Sequence, residues 1–456
     1  MSRGSKFAVC AAVIATVFLS LSYCAPAHSA VTLEVGADSP VVEAGRARRV
    51  VIRALVRPDD VKPKNRAPMA VALVLDKSGS MASDRKMEFA KRGALEAFEF
   101  LDGRDIATLV VYDHEAAVLA RPKSAADRGY FSKIVSGVSP GGSTALYDGV
   151  RVGAEQLESF IKEGYTPRIV LLSDGLANIG PSSTRELAKL GRVLSGRDMT
   201  ITTIGLGLDY NEDLMTALAS ESGGNSYFAR TGDTLPDIFA RDMQDATALS
   251  AKRVKITLTC QGETIPVRVI GRAGELGGKS LSVQIDNLYG AEKYALFEIE
   301  APAGKDGASL TAATVKLEFV DAVTGKTFTR EAPLKLSFTK NADLAAKNRR
   351  ADIASQAEIA RNAEIREEVV RLADEGRVEE ASSLLKRRGK YLMEMAPAAA
   401  PESERKISED AEEFESMAAD MDSSGSMSNE QRKNAVNRAY AEKNQQTSAG
   451  SDDVKK

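Results

Sequence analysis

A short polar segment follows one of the most apolar stretches of the chain. Asp76, Ser78 and Ser80 come directly after the run Val71–Leu75 (VALVL). Such a run is typical of a buried strand, and a strand that ends in a carboxylate and two hydroxyls presents three oxygens on a tight turn. Oxygens of this kind are the ligands that hard divalent cations prefer in proteins. The sequence therefore indicates a cation site at the end of this strand.

Two distant segments supply oxygens that such a site still needs. Gly141–Thr144 (GGST) is a flexible loop with hydroxyls that leads into a helical pattern, and Arg168–Asp174 is a second apolar strand that ends in a carboxylate. In open parallel sheets, ligands bind beyond the carboxyl ends of the strands, where the strand order reverses. We therefore expect the strands that end at Asp76 and Asp174 to be neighbours, so that the two carboxylates converge.

Together these three segments resemble the metal-ion-dependent adhesion site (MIDAS) of the von Willebrand factor type A (vWA) domain. The resemblance implies that Asp76, Ser78, Ser80, Thr144 and Asp174 hold Mg²⁺ (or Ca²⁺), the hydroxyls as neutral oxygens and the aspartates directly or through water. A cation held by few carboxylates keeps net positive charge and exchangeable waters. The resemblance further implies a protein partner whose Asp or Glu carboxylate completes the coordination.

Each of these residues also has an explanation without a metal. Aspartate after a strand often caps the next helix, serines are common in turns, and Thr144 directly precedes a helical pattern that starts at Ala145. The agreement of all five positions favours the metal site. Lys77 departs from the family pattern, and we expect its ammonium group to point to solvent.

A second match to the same short pattern occurs at Asp422–Ser426 (DSSGS). It lies in a polar segment with no apolar strand before it, so nothing there is expected to hold the side chains in one geometry. We interpret it as a chance match.

Composition argues for a binding protein over an enzyme. The chain has 456 residues, a formal charge of −3 and two histidines. A mildly acidic balance disfavours nucleic acid as a partner, because phosphate binding needs a basic face. His28 falls in the leader and His114 alone cannot build a histidine-rich zinc site. Gly205–Gly207 (GLG) lacks the third glycine of a phosphate loop.

The alternative to metal-dependent capture of a partner is a structural envelope scaffold in which the metal only stabilises the fold.

The first thirty residues resemble a secretory signal peptide. Arg3 and Lys6 precede an apolar stretch, Phe7–Leu21, and small residues follow up to Ala30. We expect an exported protein, periplasmic or secreted. The alternative is a protein anchored in the membrane by an uncleaved leader.

The remainder divides into five segments. Alternating strand and helix patterns predict an α/β, Rossmann-like domain with a mostly parallel six-stranded sheet covered by helices on both faces. The resemblance implies that this is the vWA domain. Alternating apolar residues on either side of it predict an antiparallel β-sandwich into which this domain is inserted, and a helical region follows. The expected segments are 1–30 (signal peptide), 31–66 (first sandwich strands), 67–246 (vWA domain), 251–339 (remaining sandwich), 341–395 (helical hairpin) and 396–456 (linker and largely disordered tail). Exported bacterial vWA proteins labelled as calcium-activated chloride channel homologues look similar.

Overall fold

The computed structural model describes residues 31–58 and 66–446. The expected signal peptide, the residues from 59 to 65 and the segment 447–456 lie outside the described residues. In the part that is described, no helix is both long and apolar enough to cross a bilayer.

The described strands are, in chain order, β1 (Val31–Ala37), β2 (Val41–Glu43), β3 (Arg48–Pro58), β4 (Met69–Asp76), β5 (Ile106–Tyr112), β6 (Ala116–Ser124), β7 (Thr166–Ser173), β8 (Thr200–Leu206), β9 (Ser226–Ala229), β10 (Ala251–Cys260), β11 (Ile265–Ile270), β12 (Glu275–Gly277), β13 (Ser280–Leu288), β14 (Lys293–Ala301), β15 (Ser309–Asp321) and β16 (Thr327–Thr339). The described α-helices are α1 (Lys86–Glu99), α2 (Arg128–Ser136), α3 (Leu146–Lys162), α4 (Thr184–Ser195), α5 (Glu212–Ser222), α6 (Leu235–Thr247), α7 (Ala342–Lys347), α8 (Ala351–Asp374), α9 (Val378–Met395), α10 (Pro401–Ser424) and α11 (Asn429–Asn444).

The central domain has a six-stranded sheet in the order β6-β5-β4-β7-β8-β9. Its strands run parallel except the edge strand β6, which pairs with β5 in the antiparallel sense. All eight residues of β4 are buried, as expected for the middle of a sheet covered on both faces. Side chains of α1, α2 and α6 pack on one face, and those of α3, α4 and α5 pack on the other. The predicted α/β fold class is confirmed.

Segments on both sides of this domain in sequence complete two further sheets. One has the order β1-β3-β14-β11 and the other the order β12-β13-β10-β15-β16-β2. Their inward side chains share one apolar core, which includes Ile52, Ile256, Phe297 and Leu317. Because β3 pairs with β14, the α/β domain is an insertion between strands of this double-layered β-structure. The pairs are antiparallel apart from β2 with β16.

Most of the segment 396–456 is ordered and helical, where the sequence led us to expect only weak helices, around 403–420 and 428–443, in a largely disordered tail. Helices α10 and α11 occupy 401–444 and pack with α8 and α9 around an apolar core that contains Phe414 and Met421. The charged residues that suggested a solvated tail are paired, since the fully buried Arg366 contacts Asp410, Glu413 and Glu442. The predicted hairpin also differs, because its first helix is interrupted between α7 and α8.

The two residues that follow α11 connect the helical region to the α/β domain and to the β-structure. The side-chain amide of Gln446 forms two hydrogen bonds with the backbone of Ser226 in β9, of 3.1 and 3.2 Å. The amide of Gln445 does the same with Tyr294 in β14, at 2.8 and 2.7 Å. Consecutive glutamines therefore fasten the helical region to the α/β sheet and to the β-structure.

Candidate functional site

The two predicted aspartates lie at the carboxyl ends of neighbouring strands. Strands β4 and β7 are paired along their length, with Leu75 opposite Leu172. Asp76 ends β4 and Asp174 directly follows β7, so the two side chains meet at the same edge of the sheet. Both carboxylates are fully buried, whereas Ser80 is exposed. Two buried carboxylates therefore lie beside one solvent-exposed residue, Ser80.

Hydrogen bonds join four of the five predicted residues. Ser80 Oγ donates to Asp174 Oδ1 at 2.6 Å, and the hydroxyl oxygens of Ser78 and Ser80 are 3.0 Å apart. The backbone N–H of Ser78 donates to Asp76 Oδ1 at 2.8 Å. The other oxygen of Asp76 accepts a hydrogen bond of 3.0 Å from Ser173 Oγ. Ser173 was not singled out in the sequence, because a serine at the end of a strand carries no distinctive signal.

Thr144 reaches the same place from a separate loop. A methyl group added at Gly175 would lie 3.6 Å from Ser80 Oγ and 3.7 Å from Thr144 Oγ1, so both hydroxyls lie close to the same point. The loop is held by a backbone bond from Gly79 N to the carbonyl of Gly142, 3.0 Å. Asn178 fixes Thr144 by accepting from its N–H at 2.9 Å. The structure thus brings together all five residues predicted from the sequence.

The helix-cap explanation does not hold for these residues. The residue that precedes α1 is Arg85, the one that precedes α3 is Ala145, and neither helix has a side-chain cap. Helix α4 is capped by Ser183. The five oxygen-bearing side chains therefore face one another and not the ends of these helices.

A buried lysine completes the site and was missed in the sequence. Lys86 Nζ donates to Asp174 Oδ2 at 2.8 Å, and only 11% of its side chain is exposed. Lys86 lies on the stripe of α1 that carries the buried residues Ala90 and Ala94. A charged residue on a buried stripe needs a charged or polar partner. That position was the signal available in the sequence.

Lys77 does not point freely to solvent, contrary to expectation. Its ammonium pairs with Asp113. The Asp113 side chain lies close to Gly142, since a methyl group added at that glycine would be 2.8 Å from it. His114 Nδ1 lies 3.0 Å from the other oxygen of Asp113, and the histidine side chain is 63% exposed. Through Asp113, Lys77 therefore helps to hold the loop that carries Thr144.

The charge balance of the site leaves a carboxylate poorly compensated. Burial, together with the nearby Asp174 carboxylate, raises the pKa of Asp76 to about 6, although Ser78 and Ser173 donate hydrogen bonds to it. Among the described residues, Lys86 forms its ion pair with Asp174 and not with Asp76. Within residues 31–58 and 66–446, no three His, Cys, Asp or Glu side chains cluster in a way that could hold a metal. Three of the five residues gathered here offer a neutral hydroxyl and two offer a carboxylate, so this arrangement suits a hard cation with few charged ligands.

The second match to the motif has a different environment. Asp422 lies near the end of α10, where its carboxylate accepts a hydrogen bond of 2.5 Å from Ser382 Oγ and pairs with Lys386. Ser424 donates to the backbone carbonyl of Asp420, and Gly425 ends the helix with φ +69°. These side chains serve a helix terminus and do not converge, as the absence of a preceding strand predicts.

Comparison with known proteins identifies the domain. Residues 71–176 match the family model described as von Willebrand factor type A domain. An uncharacterized protein of Synechocystis is 29% identical over 189 residues, which is 41% of this chain and 44% of the relative. Human inter-alpha-trypsin inhibitor heavy chain H4 is 29% identical over 34% of this chain and 18% of its own length. Calcium-activated chloride channel regulator 1 of Macaca mulatta is 29% identical over 34% of this chain and 19% of the relative. The match spans less than half the length of each of these relatives.

A solved structure resembles nearly the whole chain. The von Willebrand factor type A protein from Catenulispora acidiphila superposes with a TM-score of 0.66 over 91% of this chain and 96% of that one, at 17% sequence identity. The likeness therefore extends beyond the sheet that carries the site to the flanking strands and helices. The α/β domain of this chain has the von Willebrand factor type A fold.

Proposed function

We propose that this protein is a metal-dependent, adhesion-type binding module that captures an acidic side chain of a protein partner through a cation at the MIDAS. The observation that carries the proposal is the convergence of Asp76, Ser78, Ser80, Thr144 and Asp174 beyond the ends of β4 and β7. Mg²⁺ is the proposed cation, with Ca²⁺ as the alternative.

The residues present fit such a cation. Ser78, Ser80 and Thr144 offer neutral oxygens, and Asp76 and Asp174 offer carboxylates. The ammonium of Lys86 already offsets one of the two negative charges. A bound divalent cation would supply positive charge in excess, together with a coordination position that an incoming carboxylate can take. Ser80 is the exposed member of the set, so the chain leaves the site open on the side where a partner would approach.

Several observations favour binding over catalysis. The relatives with descriptive names are inhibitor heavy chains and a channel regulator, and the aligned region in each is a minor part of the protein. His114 is largely exposed, and its partner, Asp113, is not one of the five converging residues. Export to the periplasm or the exterior is part of the proposal and rests on the leader-like residues 1–30.

Titration with magnesium tests the metal site. We expect Asp76→Ala to abolish Mg²⁺ binding measured by calorimetry on the mature chain. Asp422→Ala is the matched control, because it changes the same position of the same short motif outside the site, and its binding should equal that of the wild type. Equal binding by all three proteins, or none by the wild type, would refute the metal site.

A capture experiment separates the proposed function from the scaffold alternative. Protein retained from envelope extract by the wild type should be released by chelator and should be missing with Asp76→Ala. The scaffold alternative predicts instead that chelation lowers the melting temperature while the retained proteins stay the same.

A further inference from the structure

Helix α11 lies against the loop that connects β8 to α5, which borders the candidate site. This loop begins at Gly207, where a methyl group would be 3.6 Å from Lys86 Nζ. Lys86 in turn bonds Asp174 at 2.8 Å. The loop residue Tyr210 is 2% exposed and lies between α11 and the sheet. The end of the chain therefore touches a segment adjacent to a proposed metal ligand.

Tyr210 packs directly on the strand next to the metal-site strand. Its ring occupies the space over Gly205, where an added methyl group would come within 2.2 Å of it. Gly205 of β8 is paired with Ser173 of β7, the residue that bonds Asp76 and precedes Asp174. A shift of the Tyr210 ring would therefore displace Gly205 and, through its pairing with Ser173, the strand end that carries the site.

On its other side Tyr210 is held by α11. Lys433 Nζ donates to the Tyr210 carbonyl at 2.6 Å and lies 4.4 Å from the centre of its ring. Asn437 Nδ2 donates to the Tyr210 hydroxyl at 3.1 Å. Lys433 is 4% exposed and also pairs with Glu212 at the start of α5. A buried lysine with three such contacts to one loop is a specific attachment, since isolated buried ammonium groups are strongly disfavoured.

We propose that Lys433 and Asn437 are positioning residues for the metal site: through Tyr210 they hold the end of β7, so that docking of α11 sets the affinity for the cation. This proposal rests on the proposed function, because it names a determinant of the same site. The helical region would then contribute to cation binding, although all five proposed ligands belong to the α/β domain.

The test compares Lys433→Met with Lys443→Met, two identical substitutions on the same helix. Lys443 pairs with Glu367 of α8 and does not contact the loop. We expect Lys433→Met to weaken Mg²⁺ binding by about threefold or more, in the range of mutations that modulate coupling between sites. Lys443→Met should bind like the wild type. Tyr210→Phe removes only the hydroxyl bond to Asn437 and should give a smaller loss in a folded protein.

Amide hydrogen exchange supplies a readout that does not need the metal. In the absence of magnesium, Lys433→Met should accelerate exchange at 207–211 and also at 173–176, and Lys443→Met should accelerate neither. Faster exchange confined to 207–211, or equal exchange and affinity in the two lysine variants, would overturn the proposal. If the wild type binds no magnesium but exchange at 173–176 still responds to Lys433→Met, the positioning holds and the metal-dependent function fails.

Discussion

Replacing Lys86 by methionine removes the charge partner of Asp174 while keeping most of the volume of the side chain. Asp174 is fully buried, and its Oδ2 is 2.8 Å from Lys86 Nζ. Removing one partner of a buried ion pair costs about 3–5 kcal/mol, because the other charge stays buried without compensation. Since Asp174 keeps its bond from Ser80, we expect a loss at the lower end, about 3 kcal/mol. For a domain of this size that corresponds to a fall in melting temperature of about 6–12 °C.

Magnesium should partly reverse this loss. A cation at the site takes over the role of the missing ammonium, so Lys86→Met should bind Mg²⁺ more tightly than the wild type. Ligand at a hundred times its dissociation constant stabilises a protein by about 2.7 kcal/mol, and the tighter-binding variant gains more at the same concentration. Melting curves with and without saturating magnesium measure both effects, and the gap between the variant and the wild type should narrow when magnesium is present.

The matched control is Lys91→Met on the same helix, where the lysine donates to the backbone carbonyl of Ser136 at the surface. Its effect should stay below about 1 kcal/mol and should not change with magnesium. A gap between Lys86→Met and the wild type that is independent of magnesium would refute the reasoning, as would weaker magnesium binding by the variant.

Three further outcomes are expected. Gly142→Ala should destabilise the loop that carries Thr144 and weaken magnesium binding. The reason is that φ at Gly142 is +88° and the new methyl group would lie 2.8 Å from an aspartate side chain. Gly141→Ala, with open space around the new methyl group, should be neutral in the same melting and titration assays. Arg168→Met leaves the fully buried carboxylate of Asp242 without its guanidinium and should lower stability to chemical denaturation by about 3–5 kcal/mol. Burial would raise the pKa of Asp410, but neighbouring basic groups outweigh burial and hold this pKa at about 2. The contribution of Asp410 to the stability of the helical region is therefore present above pH 3.8 and is lost as the pH falls towards 2. Circular dichroism on acidification should detect this loss.

The sheet and the five converging oxygen-bearing residues were accessible from the sequence because each depends on a local pattern. The apolar run before Asp76 predicts a buried strand, and the observed strand, Met69–Asp76, contains the whole run. The stripe of Met87, Ala90 and Ala94 predicts the buried face of α1. Convergence of Asp76 with Asp174 follows from the rule for parallel sheets, which needs only the strand ends.

Contacts between distant segments were not accessible in the same way. Nothing near Tyr210 indicates that its partner is Lys433, because the pair depends on how the last helix docks. The order of the C-terminal segment was missed for a related reason. A charged composition predicts a solvated chain unless the charges are paired, and the pairing of Arg366 with Glu442 crosses 76 residues of sequence.

The amides of Gln445 and Gln446 have a consequence for how the protein tolerates proteolysis. Strand β9 is an outer strand of its sheet, and the two bonds from Gln446 satisfy the backbone polar groups of Ser226 that would otherwise be open. Cleavage between Asn444 and Gln445 would remove these hydrogen bonds and leave the backbone of Ser226 unpaired, and unpaired strand edges pair with the strands of other molecules. We expect a molecule cleaved there to self-associate more readily than the intact one.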